Sequence, residues 1–335
     1  MQKKENYTDF GNWRKKRLRW IDMHCDTISE LQNRKEETLF KNRLCVDGER
    51  LGQSGGMQFF ACFVYAPYFG EVTKEGEVWD KAYESVLNML DYAHRGDGEP
   101  VFVTTKKQIE EVTKVKGILT VEEGGVLNGC IDRLDTLYER GVRLMTLTWN
   151  YRNCIGSPNS REMDVMERGL EPFGREVVGR MNELGMMIDV SHLSDGGFWD
   201  CIRESRFPVV ASHSNARSLC DHPRNLSDGM LHALGEKGGV AGVNFYSAFL
   251  TGNEKAGIDD IVRHILYMID KAGEDAVALG TDLDGFEYRH MPEGIRDVRD
   301  IDRLILPLEK SGLTGRQIEK FLKGNVMRVI GDVWK

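Results

Sequence analysis

Short apolar or β-branched runs alternate along the chain with longer stretches of helical periodicity. Eight runs predict strands: Trp20–His24, Met57–Tyr65, Ile118–Glu122, Arg143–Thr148, Met186–Val190, Val209–Ser212, Val240–Phe245 and Ala276–Thr281. Between them the apolar spacing predicts helices over Val78–Ala93, Ile131–Arg140, Pro172–Leu184, Ser194–Ser205, Asp228–Lys237 and Ile258–Ala272. A last helix, Gly315–Ile330, carries Ile318, Phe321, Leu322, Val326 and Val329 close to one face. Gly141, Gly185 and Gly273 stand where helices should end before the next strand. Strand–helix alternation repeated eight times predicts a parallel (β/α)₈ TIM barrel of the α/β class. A doubly wound open sheet is the competing architecture, and no GxGxxG follows the first strand to favour it. Two long polar stretches, Arg34–Ser54 and Asn153–Glu171, follow strands; lids over a site and plain surface loops fit them equally.

At 335 residues, with no internal repeat, the chain reads as a single barrel domain over 1–335, with a lead-in over 1–19 and a C-terminal helix within 314–335. The net charge of −8 argues against nucleic acid or an anionic membrane as partner. The basic run Arg14–Arg19 is read as a solvated lead-in. No apolar stretch approaches the ~18 residues of a membrane span. Met1–Phe10 lacks the apolar core of a signal peptide, and the C-terminus is not an apolar anchor signal. The seven cysteines are odd in number and form no CxxC, so free thiols in a reducing cytoplasm are expected.

Chemistry concentrates at the predicted strand ends, where barrels of this type build their sites. The first strand ends His24-Cys25-Asp26, the third Glu122-Glu123-Gly124-Gly125, the fifth Asp189-Val190-Ser191-His192, the sixth Ser212-His213-Ser214, and the eighth Asp282-Leu283-Asp284-Gly285. In extended chain His24 and Asp26 point the same way, whereas Glu122 and Glu123 point apart, so only one glutamate can face the barrel axis. The strand-end set of histidines and carboxylates suits two metal ions sharing a bridging carboxylate better than one ion. Nitrogen and oxygen donors without a cysteine pair suit Zn²⁺, with Mn²⁺, Co²⁺ and Fe²⁺ left open. Asp189 is expected to be buried and hydrogen-bonded, and Asp284 to cap the following loop. His94, His222, His232, His264 and His290 are read as solvated, and no Gly-x-Ser-x-Gly elbow surrounds Ser191, Ser212 or Ser214.

Taken in order, His-x-Asp, Glu-Gly-Gly, Leu-Thr-Leu-Thr, Asp-Val-Ser-His, Ser-His-Ser, Arg-Asn, Val-Asn-Phe-Tyr and Gly-x-Asp-x-Asp-Gly resemble the membrane (renal) dipeptidase family, peptidase family M19, from Asp22 to Gly324-Asn325. The resemblance implies a metal-dependent hydrolase with two zinc ions per chain. It makes His24 and Asp26 ligands of one ion, Glu123 the bridge, and His192 and His213 ligands of the other. It makes Arg224 the binder of the substrate carboxylate and Asp282 the acid beside the catalytic water, and it implies a homodimer. Where the mammalian members have a substrate-contacting histidine after Leu-Thr-Leu-Thr, this chain has Trp149-Asn150, which changes substrate preference rather than metal chemistry.

The expected activity is hydrolysis of dipeptides by a hydroxide bridging the two ions, with Asp282 passing the proton to the leaving amine. Two other readings compete. One is another amidohydrolase-like barrel acting on a cyclic amide, lactone or ester, against which stand His-x-Asp rather than His-x-His on the first strand and the lack of a strand-end lysine. The other is a metal-binding relic with only a binding role, against which stands the intact ligand set.

Overall fold

The computed structural model describes residues 18–335 except 33, 35, 96, 97 and 99. The readings of Met1–Phe10, and of the basic run up to Arg17, lie outside the described residues; Arg19 pairs with Asp302 at 2.7 Å. Nine parallel strands form: β1 (Trp20–Asp22), β2 (Gly56–Phe63), β3 (Val101–Phe102), β4 (Lys116–Glu122), β5 (Val142–Thr146), β6 (Met187–Asp189), β7 (Val210–Ala211), β8 (Val240–Val243) and β9 (Val277–Leu279). Eight of them close a barrel in the order β1, β2, β4, β5, β6, β7, β8, β9, with β9 returning to β1 through Asp22 and Leu279. The ninth, β3, was not expected. It pairs only with Lys116 and Gly117 at the start of β4, ahead of the point where β5 joins β4, and so stays outside the ring.

Each of the eight barrel strands contributes to a core that the barrel encloses: Ile21, Met57 and Phe59, Ile118, Leu144, Met187, Val210, Val240 and Ala278. Val326, Val329, Ile330 and Val333 of the C-terminal helix belong to the same core. The alternate positions, such as Leu119, Val121, Met145, Ile188 and Ala211, pack instead with residues of the surrounding helices, among them Leu134, Val177, Phe198 and Leu231. Both faces of each strand are therefore buried, which is why the strands read as nearly continuous apolar runs. The predicted helices form with small shifts at their ends; the last spans Gly315–Glu319, a π-helical turn at Lys320–Gly324, and Asn325–Val333. Among the described residues no helix is long and apolar enough to cross a membrane. All seven cysteines are unpaired, with Cys25 and Cys62 buried in the core.

Candidate metal centre

Strand parity decides which side chains reach the centre. Along β4, Ile118 faces the barrel interior while Leu119 and Val121 pack with the helices. With a period of two, Thr120 and Glu122 follow Ile118 inward. Glu122 is buried, with Oε1 at 3.1 Å from His192 Nε2 and 3.3 Å from His213 Nε2, and Oε2 at 3.4 Å from His24 Nε2. His24 Nε2 also lies 3.4 Å from Asp26 Oδ2 and 3.7 Å from Asp282 Oδ1. The Nε2 atoms of His192 and His213 are 3.0 Å apart, and the His24 ring stacks on that of His213 with centroids at 3.8 Å. His24, Asp26, Glu122, His192, His213 and Asp282 thus form one cluster in three overlapping triads, each with its donor atoms within 4.8 Å of one another.

Glu123 is placed elsewhere, and this corrects the expectation that it faces the others. The chain turns there, with Glu123 at φ 102°, and its carboxylate folds back on backbone and loop. Oε1 accepts from Gly125 N at 2.8 Å and Asn153 Nδ2 at 2.5 Å, and Oε2 from Trp149 N at 3.1 Å. A Cβ on Gly124 would press on the carbonyl oxygen of Leu147, and one on Gly125 on the Glu123 carboxylate itself. The two glycines therefore serve the turn that sends Glu123 away from the axis. The signal available in sequence was parity: Thr120 and Glu122 are the polar pair of an otherwise apolar run.

Second partners orient the imidazoles. Ser212 Oγ donates to Asp189 Oδ2 at 2.6 Å, so at 2.6 Å from His213 Nδ1 it must accept. That places the His213 proton on Nδ1 and leaves the Nε2 lone pair facing the cluster. The amide oxygen of Asn150, 3.0 Å from His192 Nδ1, does the same for His192. Asp189 itself is buried and takes donors from Thr146, Ser191 and Ser212, as expected of a supporting residue. Asn244 Nδ2 donates to Asp282 Oδ2 at 2.9 Å, leaving Oδ1 toward the centre. His192 and Asp282 hold positive φ of 66° and 61°, and a Cβ on Gly285 would collide with both Asp26 Oδ2 and Asp282 Oδ1. Sparsely populated backbone at the strand ends is typical of positions held for function.

The electrostatics are those of a site built around cations. Burial pushes Asp26 up to about 7 and Asp282 up to about 6. Burial alone would raise Glu122 and lower His24. Each is driven the other way by its partner: Glu122 well below the carboxylate range by the imidazoles, His24 well above the usual imidazole range by Glu122 and Asp26. Burial also drives His192 down to about 4 and His213 well below the usual imidazole range, assisted by the Arg224 charge and, most strongly for His213, by His24. His24 Nδ1 and Nε2, Asp26 Oδ1 and Glu122 Oε1 are buried with no hydrogen-bond partner among the described residues. Buried polar atoms left so are rare, and a bound cation would account for His24 Nε2 and Glu122 Oε1, the two of them that lie in the cluster.

The family model for membrane dipeptidases, peptidase family M19, matches residues 15–335. The chain belongs to this family. An uncharacterized dipeptidase of Schizosaccharomyces pombe is 33% identical over 301 residues, covering 85% of this chain and 70% of the relative. A metallopeptidase of Rhodobacter sphaeroides, solved with a phosphinate mimic of the dipeptide L-Ala-D-Ala, superposes with a TM-score of 0.83 at 25% identity, over 95% of this chain and 100% of the other. A metallopeptidase of family M19, a dipeptidase, superposes with a TM-score of 0.82 at 27% identity, over 95% and 99%. Membership of the membrane dipeptidase family makes the chain a peptide-bond hydrolase of the metallopeptidase type.

The remaining site expectations fall as follows. Arg224 is buried beside the cluster, with its guanidinium donating to Ser214 Oγ and to the carbonyl of His213, both at 3.0 Å, while its Nε has no partner among the described residues. Trp149 is half-buried, its ring 6.1 Å from that of His192. Asp284 does not cap the following loop; it reaches across to Cys45 N at 2.7 Å and Thr27 Oγ1 at 2.6 Å, tying the segment around Cys45 to the barrel mouth. The 153–171 segment lies against the end of β6, where Asn159 N donates to the carbonyl of His192 at 2.7 Å. His264 is not solvated: it is fully buried, accepting from Ala216 N and bonding the carbonyl of Leu250. His222 is half-buried, accepting from Arg224 N. Residues missed in the sequence are Glu122 as the inward carboxylate, and Asn150, Asn153 and Asn244 as the partners of His192, Glu123 and Asp282, since amides in loops carry no periodic signal.

Proposed function

We propose that the protein is a zinc-dependent dipeptidase in which His24, Asp26, Glu122, His192 and His213 hold two divalent ions. Glu122 would lend one oxygen to each, in the bridging place that the Glu-Gly-Gly motif suggested for Glu123. The observation that carries the reading is the packing of His192 Nε2, His213 Nε2 and Glu122 Oε1 at 3.0–3.3 Å from one another, buried and with both imidazole lone pairs aimed inward. Ligands about 2.0 Å from a tetrahedral zinc stand about 3.3 Å apart, so these are the edges expected of a coordination shell. Around His24, the 3.4 Å distances to Asp26 Oδ2 and Glu122 Oε2 repeat that spacing. The donor set is nitrogen and carboxylate oxygen, which suits zinc and admits Mn²⁺, Co²⁺ or Fe²⁺.

Divalent ions held there polarise a carbonyl and make water a nucleophile near neutral pH. The protein supplies the rest. Arg224 has Nε and the outer edge of its guanidinium for a substrate carboxylate, and its existing bonds to Ser214 and His213 fix its position before substrate arrives. Asp282, with Oδ2 occupied by Asn244, has Oδ1 available to take the proton from the attacking water and deliver it to the leaving amine. A carboxylate clamp beside a buried centre measures substrate length, which favours dipeptides over longer peptides.

Elemental analysis of protein purified without chelator tests this together with a dipeptide assay. About two zinc-class ions per chain, and hydrolysis that chelation abolishes and Zn²⁺ restores, are expected. One ion or none at full activity would refute the shared centre; no hydrolysis of any dipeptide by the metal-loaded protein would refute the substrate class.

A further inference from the structure

An aromatic wall stands beside the metal centre, and neither metal binding nor the carboxylate clamp uses it. Phe63 and Tyr65 come from the end of β2, and Trp149 and Tyr151 from the segment after β5. The Trp149 ring lies 5.0 Å from Phe63, 5.6 Å from Tyr65 and 5.9 Å from Tyr151, and Tyr65 meets Tyr68 at 4.8 Å. These four residues are half-buried, and Tyr68 is 83% exposed. Aromatic surface left open at the rim of a site is a place for a ligand rather than a packed core. Arg152, next to Tyr151 in the chain, is paired with Glu171.

The order of strands gives the wall its place relative to the substrate. Around the closed barrel, β2, β4, β5 and β6 carry the wall, Glu122 and His192, while Arg224, Asn244 and Asp282 follow β7, β8 and β9 on the other side. A dipeptide gripped by its carboxylate at Arg224, with its peptide bond over the cluster, extends its N-terminal residue toward the wall. We propose that Phe63, Tyr65, Trp149 and Tyr151 form the pocket for the N-terminal side chain, and that the preferred dipeptides carry a large apolar or aromatic residue there. This rests on the dipeptidase reading above. Aromatic faces also attract cations, so a lysine side chain is the competing occupant that the test below separates from an apolar one.

The test is kcat/KM of the zinc-loaded protein on Phe-Ala, Leu-Ala, Ala-Ala, Lys-Ala and Ala-Phe, with calorimetric binding of hydrolysis-resistant Phe-Ala and Ala-Ala analogues. Both measurements are repeated on Tyr65→Ala and Tyr151→Ala, with metal content determined for each. Phe-Ala and Leu-Ala should exceed Ala-Ala by roughly 10-fold or more, a span that hydrophobic pockets reach. The same preference should appear in analogue affinity, and each variant should shrink it to about 2- to 3-fold with its ions retained. Equal rates on Phe-Ala and Ala-Ala, Lys-Ala as the best substrate, or a preference that both variants leave intact would each overturn the proposal, and the first is decided on the wild type alone. Hydrolysis of Ala-Ala without any such preference would leave the dipeptidase reading standing. Failure on every dipeptide would remove both.

Discussion

Exchanging the two neighbouring glutamates separates their roles. Glu122→Gln keeps the shape of the side chain and removes its charge, so the amide nitrogen must replace one of the two oxygens that face His24 on one side and His192 and His213 on the other. One of the two proposed ions loses a ligand and the pair loses its shared anion. Outer partners of metal ligands cost ~10–100-fold when removed, so loss of a direct ligand should cost more, with fewer than two ions retained. Glu123→Gln acts on stability instead. Its one remaining oxygen can keep Gly125 N and Asn153 Nδ2, but its new NH₂ then faces the N–H of Trp149. A buried donor without an acceptor costs about 1–3 kcal/mol, a fall of a few degrees in Tm for a chain of this size at about 2 °C per kcal/mol. Metal analysis, kcat/KM and thermal melting on both variants read the two effects apart: Glu122→Gln loses metal and activity, while Glu123→Gln keeps both ions, keeps kcat within roughly 10-fold and melts earlier. Retention of both ions by Glu122→Gln, with their loss from Glu123→Gln, would refute the parity argument.

Three further outcomes follow from the same geometry. Arg224→Ala should raise KM for dipeptides by roughly 10- to 150-fold, the equivalent of about 1.5–3 kcal/mol for a charge-assisted contact, and amidating the substrate C-terminus should have a similar effect on the wild type; equal turnover of acid and amide would remove this role. Trp149→Phe should keep most of kcat with both ions bound, because no proposed ligand or proton carrier depends on the indole; a loss as large as that of a ligand variant would show that its N–H stabilises the transition state. Burial lowers His264 from 6.5 to about 4, so the native state holds the ring neutral where the unfolded chain protonates it. Its contribution is present above pH 6.5 and is lost as pH falls toward 4, roughly 3 kcal/mol across that window. Denaturant titrations from pH 4 to 7 on the wild type and His264→Gln should show the shallower pH dependence in the variant, and parallel curves would refute it.

Much of this was written in the order of residues. Eight apolar runs separated by amphipathic helices determine a parallel sheet covered by helices, since strands buried on both faces must be apolar throughout and each must be followed by a helix to cover it; the pairing of β9 with β1 closes that sheet into a barrel. The same order places His24, Asp26, His192, His213 and Asp282 at strand ends, and the closed ring needs only those positions to bring them together. The short β3 escaped notice because two residues carry no period and pair only with the beginning of β4. His264 escaped because a histidine on an amphipathic helix looks solvated until its two partners, Ala216 and Leu250, arrive from elsewhere in the chain. The choice between Glu122 and Glu123 shows the boundary. Both carboxylates stand next to each other at a strand end, and the motif drew attention to the one beside the glycines. Only the tertiary structure decides, because the register of β4 in the barrel turns Ile118, Thr120 and Glu122 inward. The close approach of Leu147, Trp149 and Asn153 captures Glu123 instead. Local sequence sets which residue types occupy a strand end; the direction each one faces is set by neighbours distant in the chain, whose backbone donors and packing volume leave a buried carboxylate one place to go.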